Sequence, residues 1–265
     1  MKAEELPTFV ICLEKKAKER CDVNMESILE VFPKAQRTAA VDASTVDDDD
    51  IRISYYARHY KQQQKESDFM HLSKHGAVGC ALSHIQLWKR CVQLGQPVVI
   101  VEDDMFLTKK RQQQIRKAVS QIPADCDFAA IMYLALHPMD HVEQCNAHWC
   151  DVQEGFAGLQ MYYITPSGCS ILLRDALPIV THIDSYVGYV ASVVKPFKAL
   201  YFKKPIYTLT DALKDNATSS IGHGIGNIRK ILPAGNMFYI LFSVLLFLLF
   251  VSTIVLSVLL YNKSK

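Results

Sequence analysis

The chain is poor in several things that would make its role easy to read. It has no internal repeat, which excludes solenoids and other arrays. Its net charge is only +2, so charge alone makes no case for a nucleic-acid partner. There is no Gly-x-Gly-x-x-Gly and no phosphate-loop sequence, so the two commonest nucleotide fingerprints are missing. Residues before Pro7 offer no long apolar stretch, and the Phe9 to Leu13 run is too brief for a secretory signal. The eight cysteines (Cys12, Cys21, Cys80, Cys91, Cys126, Cys145, Cys150 and Cys169) form no small-protein disulfide framework in a chain of 265 residues. In a cytosolic domain they are expected to be mostly reduced.

What is present begins with Pro97 to Asp104. Val98 to Val101 is an apolar, β-branched run without polar alternation, and it predicts a strand covered on both faces, as in a parallel sheet. It ends in Glu102, Asp103 and Asp104, at the strand end where open α/β sheets hold ligands. Alternation sends Glu102 and Asp104 one way and Asp103 the other. Two carboxylates on one face suit Mg²⁺ or Mn²⁺, which could hold a diphosphate. The alternative is a solvated turn after the strand.

The rest of the chain agrees with an α/β domain. Thr8 to Leu13 and Gln36 to Val41 predict strands, with a surface helix over Lys18 to Val31 between them. Cys80 to Leu94 predicts a helix with a broad apolar face, closed by Gly95. Lys109 to Ile122 predicts a basic amphipathic helix. Asp127 to Leu136, Gly158 to Thr165 and Leu200 to Leu209 predict strands. Pro166 to Arg174 predicts a short helix capped by Thr165. Asp47 to Asp50 reads as a solvated turn ahead of a helix. His141, Cys145, His148 and Cys150 are zinc-ligand types at a spacing that matches no strong zinc pattern, so an ordinary loop is the default.

Met237 to Tyr261 contains no charged residue. As a helix it would be about 37 Å long, enough to cross a bilayer core of about 30 Å. Tyr239 and Tyr261 lie near its ends, as interfacial aromatics do. The expected organisation is a domain over residues 1–226, a linker over 227–236, a transmembrane helix over 237–261 and a short tail over 262–265. A tail anchor of this kind implies a single-pass membrane protein with its domain in the cytosol.

Taken together, these stretches resemble glycosyltransferase family 25, which includes lipooligosaccharide and procollagen galactosyltransferases. The resemblance runs through Leu6 to Leu13 with Arg20, and Ala40-Val41-Asp42-Ala43. It continues through Gly79-Cys80-Ala81-Leu82-Ser83-His84 with Trp88, and Val101 to Asp104. Tyr162 to Thr165 with Gly168, Ile183-Asp184-Ser185-Tyr186, and Ala217 to Ile221 complete it. The membrane anchor is an addition to that pattern.

The resemblance implies an A-type glycosyltransferase fold, Rossmann-like in its first half, with a mostly parallel sheet flanked by helices. It implies a UDP-sugar donor, carrying galactose or glucose, and inverting transfer to a hydroxyl acceptor on a glycan, lipid or protein. Glu102 and Asp104 are the expected metal ligands for Mn²⁺ or Mg²⁺, with Asp103 in reserve or in catalysis. Asp184 is the expected base, with a helix cap as the alternative. Arg20, Asp42, Ser83 and His84 are the expected donor contacts. Trp88 is read as core. A catalytically inactive, membrane-bound adaptor is the competing function.

Overall fold

A computed structural model describes residues 1–47, 49–55, 75–134, 146–152, 157–204 and 206. The strands are β1 (Thr8–Cys12), β2 (Ala35–Ala39), β3 (Val98–Glu102), β4 (Phe128–Leu134), β5 (Trp149–Asp151), β6 (Ala157–Ile164) and β7 (Ala199–Phe202). The α-helices are α1 (Cys21–Leu29), α2 (His75–Leu94), α3 (Lys109–Ser120), α4 (Pro166–Arg174) and α5 (Ile183–Val193). They surround one seven-stranded sheet of order β2-β1-β3-β6-β4-β7-β5.

β1 and β3 are central strands, and the only residue either shows to water is Glu102, at the end of β3. Every residue of β1 is buried, and Val98, Val99, Ile100 and Val101 are wholly inaccessible. Alternate side chains of β3 face opposite layers. Val98 and Ile100 join the core formed with Leu82, Ile85, Trp88 and Cys91 of α2. The edge strand β2 is half-exposed, in keeping with its Gln36 and Arg37.

The sheet is mixed, with five of its seven strands running one way, as a mostly parallel sheet requires, and β6 and β5 running against them. β1 pairs in parallel with β2 and β3, and β4 with β7, but β6 runs antiparallel to both β3 and β4, and β5 antiparallel to β7. Apolar pattern sets burial, whereas direction follows from where each connection re-enters the sheet. The parallel β2-β1-β3 portion remains Rossmann-like. β1 connects outward to β2, and β3 lies on its other side, so a topological switch point falls between β1 and β3.

Helix α2 begins five residues earlier than its apolar pattern suggests, taking in Gly76 and Gly79. Gly79 is there for space: a Cβ on it would lie 2.5 Å from the carbonyl oxygen of Val41. Helix α4 forms as expected, with Pro166 in its first turn and Thr165 Oγ1 accepting from the Gly168 backbone N–H.

The expectation of thiols is corrected in part. Cys12, at the end of β1, is disulfide-bonded to Cys21, at the start of α1, with Cα atoms 5.7 Å apart. The intervening loop folds back and brings the two within bridging range. Cys150 is also disulfide-bonded, whereas Cys80, Cys91, Cys126 and Cys169 are free. A bridged sulfur is not a zinc thiolate, which removes Cys150 from the His141–Cys150 cluster; His141 and Cys145 lie outside the described residues. Among the described residues no helix is long and apolar enough to cross a membrane. The run 237–261 and the segment Ala217 to Ile221 lie outside them.

Candidate active site

The C-terminal ends of β1, β2 and β3 open together on a cavity of about 280 Å³. Register fixes this convergence, since Ile11 of β1 pairs with Glu102 of β3. Arg20, Asp42, Ser83, His84, Glu102, Asp103 and Asp104 all line the cavity. Seven of the eight site residues expected from sequence therefore meet at the switch point, brought from four separate stretches. Asp184, the eighth, is not among the lining residues.

The acidic triplet divides its work. Asp103 is 2% exposed. Its Oδ2 accepts from the Leu13 backbone N–H at 3.1 Å, and its Oδ1 meets Arg20 Nη2 at 2.5 Å. Asn24 Nδ2 donates to the Asp103 carbonyl at 2.7 Å. Asp103 thus fastens the end of β1 and the entry to α1 beneath the cavity floor. Burial raises its pKa, against the lowering effect of Arg20.

Asp104 is held more loosely. Its Oδ2 lies 3.4 Å from Arg20 Nη2, and its Oδ1 is buried without a hydrogen-bond partner among the described residues. Burial first, then the Glu102 charge, pushes Asp104 up to about 7, with Arg20 opposing. Nε and Nη1 of Arg20 are likewise buried and unpartnered among the described residues. Such groups are costly unless something fills the site.

Helix α2 supplies another wall through Gly76, Gly79, Cys80, Ser83 and His84, on successive turns. Ser83 Oγ accepts from the Val41 N–H at 2.8 Å and donates to the Gly79 carbonyl at 2.6 Å. It pins the loop that carries Asp42 to the helix. His84 is wholly buried. Its Nδ1 lies 2.8 Å from Tyr162 Oη, which accepts from Trp88 Nε1–H at 2.9 Å. Its Nε2 lies 3.4 Å from Glu102 Oε1, and Cys80 Sγ lies 3.9 Å from the same oxygen. Burial and the Glu102 charge push the Cys80 thiol well up.

At the rim, Asp42 Oδ1 receives Lys15 Nζ at 2.8 Å and the Ser44 backbone N–H at 3.0 Å. The Lys15 hydrogen bond is the largest cause holding Asp42 down at about 2. Lys15 was not singled out from sequence, nor were Cys80 and Tyr162. The available signal was the spacing Cys80, His84, Trp88, which puts all three on one helix face.

Asp184 sits in the first turn of α5. Its Oδ2 accepts from the Gly158 N–H at 2.7 Å and its Oδ1 from the Ser185 N–H at 2.8 Å, tying the start of β6 to the helix. It is near enough for its charge to raise the Cys80 thiol.

Among the cavity-lining groups, four carboxylates (Asp42, Glu102, Asp103, Asp104) face two cations, Lys15 and Arg20. A polyanionic ligand needs an added cation to enter such a field. Asp104 Oδ1 and Glu102 Oε1 are oxygens with capacity to hold one, so the residues fit a divalent ion. The family model described as "Glycosyltransferase family 25 (LPS biosynthesis protein)" matches residues 5–187. No curated protein matches the chain.

Proposed function

Because the chain belongs to glycosyltransferase family 25, we propose that it is a metal-dependent, inverting hexosyltransferase with a UDP-sugar donor and a hydroxyl acceptor. Membership supports glycosyltransferase activity, and with it a sugar donor and an acceptor. The single observation that carries the finer reading is the switch-point cavity, lined by Arg20 and Asp104, whose Nε, Nη1 and Oδ1 are buried with no hydrogen-bond partner among the described residues. That pairing suits a diphosphate bridged to carboxylates by a cation, in an A-type glycosyltransferase fold.

In this mechanism the acceptor oxygen attacks the anomeric carbon. The bond from that carbon to the diphosphate oxygen breaks, its electron pair leaves with UDP, and the hydroxyl proton passes to a base. Glu102 and Asp104 would hold Mn²⁺ or Mg²⁺, which supplies charge neutralisation for the departing diphosphate. Arg20 is oriented by Asp103 and presents Nε–H and Nη1–H to phosphate oxygens. Asp42 and Lys15 border the nucleotide side. Asp184 is the base: two of its four lone-pair sites are used by Gly158 and Ser185, leaving two for an acceptor hydroxyl.

The apolar run 237–261 supports a membrane tether, with 227–236 as linker and residues 1–226 as a cytosolic catalytic domain. The Cys12–Cys21 bridge is the observation set against a cytosolic placement, since disulfides persist in oxidising compartments.

Calorimetric titration of UDP with Mn²⁺, beside transfer rates from a UDP-sugar panel, tests the assignments. Asp184→Asn should slow transfer on the order of 10²-fold and leave UDP binding intact, because a base acts on the acceptor. Native protein that binds UDP and metal yet transfers nothing to any acceptor would favour the adaptor.

A further inference from the structure

We propose that Cys80, His84 and Glu102 form a three-ligand site for a borderline transition-metal ion of the zinc type, with its fourth position open to the cavity. It shares Glu102 with the transferase reading and rests on that reading for the ion's place beside the donor. The binding itself stands on separate geometry.

One ligand atom from each of the three residues lies within 4.8 Å of the other two. In a tetrahedral zinc site, bond lengths of about 2.0–2.3 Å place ligand atoms about 3.3–3.6 Å apart. His84 Nε2 to Glu102 Oε1 is 3.4 Å, and Cys80 Sγ to the same oxygen is 3.9 Å, a few tenths beyond that range. The first distance is long for an N–H···O hydrogen bond, which prefers about 2.7–3.2 Å. The pair is thus spaced better for two ligands of one ion than for a shared proton.

Cys80 and His84 are four residues apart on α2, so they project from one face. All three residues line the cavity, which leaves a coordination position open toward it. Tyr162 provides the outer support such a histidine needs. Its oxygen is held by the Trp88 N–H and lies 2.8 Å from His84 Nδ1. With the histidine proton on Nδ1 and donated to Tyr162, the Nε2 lone pair faces Glu102 and Cys80. Metal entry displaces the thiol proton to solvent, and the thiolate and carboxylate charges balance a divalent ion.

Ligand chemistry sets the preference. A thiolate and an imidazole select zinc or cobalt over Mg²⁺, which wants oxygen ligands in octahedral geometry. Asp104 is not one of the three, so this set and the Glu102–Asp104 pair are separable by mutation.

The test is Co²⁺ titration of the full-length, metal-stripped chain without any nucleotide. The expected result is one equivalent bound, with a thiolate-to-cobalt charge-transfer band and intense tetrahedral visible bands, both abolished by Zn²⁺. Cys80→Ser should remove the charge-transfer band and weaken binding at least tenfold, and Asp104→Asn should leave the spectrum unchanged. Zinc-edge X-ray absorption on the unmodified chain should count one sulfur at about 2.3 Å, which covers a Cys80→Ser variant that fails to fold. A weak octahedral spectrum, a charge-transfer band that survives in Cys80→Ser, or no sulfur scatterer would overturn the proposal. If cobalt binding fails while Asp104→Asn still abolishes Mn²⁺-dependent UDP binding, this site falls and the transferase reading stands.

Discussion

Replacing Tyr162 with Phe tests the support of the active-site wall. The substitution keeps the ring, which stacks on Phe128 with centroids 5.0 Å apart, and deletes only the hydroxyl. That oxygen serves two wholly buried partners, Trp88 Nε1 at 2.9 Å and His84 Nδ1 at 2.8 Å. Each buried group left unpaired costs about 1–3 kcal/mol, and the variant no longer has to bury its own hydroxyl, so a net loss of ~2–4 kcal/mol is expected. For a domain of this size, that is a fall in Tm of roughly 5–15 °C. Urea denaturation should show a lower midpoint with an unchanged slope, because no extra surface is exposed. A double-mutant cycle with Trp88→Phe isolates the shared bond: the second substitution should cost less once the first is made. Stability within 0.5 kcal/mol of native, or strict additivity, would refute the idea that this buried hydroxyl braces Trp88 and His84 in the site wall.

Other perturbations have signs that follow from the site. In the presence of chelator, Asp104→Asn should stabilise the protein above neutral pH and not near pH 4. A carboxyl raised from about 3.9 to about 7 loses native stability as pH rises through that window, by at most ~4 kcal/mol; an equal or lower Tm at pH 8 would contradict this. Replacing Cys12 and Cys21 with Ser should cost ~2–3 kcal/mol, the entropy of closing so short a loop. The same change should weaken UDP binding, because Leu13 and Arg20, which grip Asp103, flank the bridge; unaltered stability in oxidised protein would count against it. With the domain cytosolic, the sequon Asn216-Ala217-Thr218 stays unmodified in eukaryotic cells. An endoglycosidase-sensitive glycan at Asn216 would place it in the lumen.

Local pattern made much of this site legible. β3 declared itself because four consecutive apolar β-branched residues are rarely left in water, and its acidic end could be read from the fold rule for parallel strands. Two things were hidden. Strand direction is a matter of long-range pairing, so the antiparallel entry of β6 beside β3 left no mark in either segment. The apolar pattern of α2 starts at Cys80, whereas the helix also takes in Gly76 and Gly79, the latter a glycine because the Val41 carbonyl oxygen stands where a Cβ would be. Asp103 was a candidate for chemistry from its neighbours alone. Its partners, Leu13 and Arg20, lie some ninety residues earlier and could be matched to it only through the β1–β3 register. The Cys80–His84–Glu102 cluster was missed for the same reason, although its helical spacing was visible.

The most direct measurement is release of UDP from UDP-galactose and UDP-glucose by the full-length chain, with Mn²⁺, Mg²⁺ or chelator. A switch-point cavity that works through a cation should release UDP from at least one donor only when a divalent ion is present. Asp104→Asn should cut the rate on the order of 10²-fold or more while the fold is kept. Release that continues in chelator, or an Asp104→Asn variant as fast as native, would contradict metal-dependent transfer at Glu102 and Asp104.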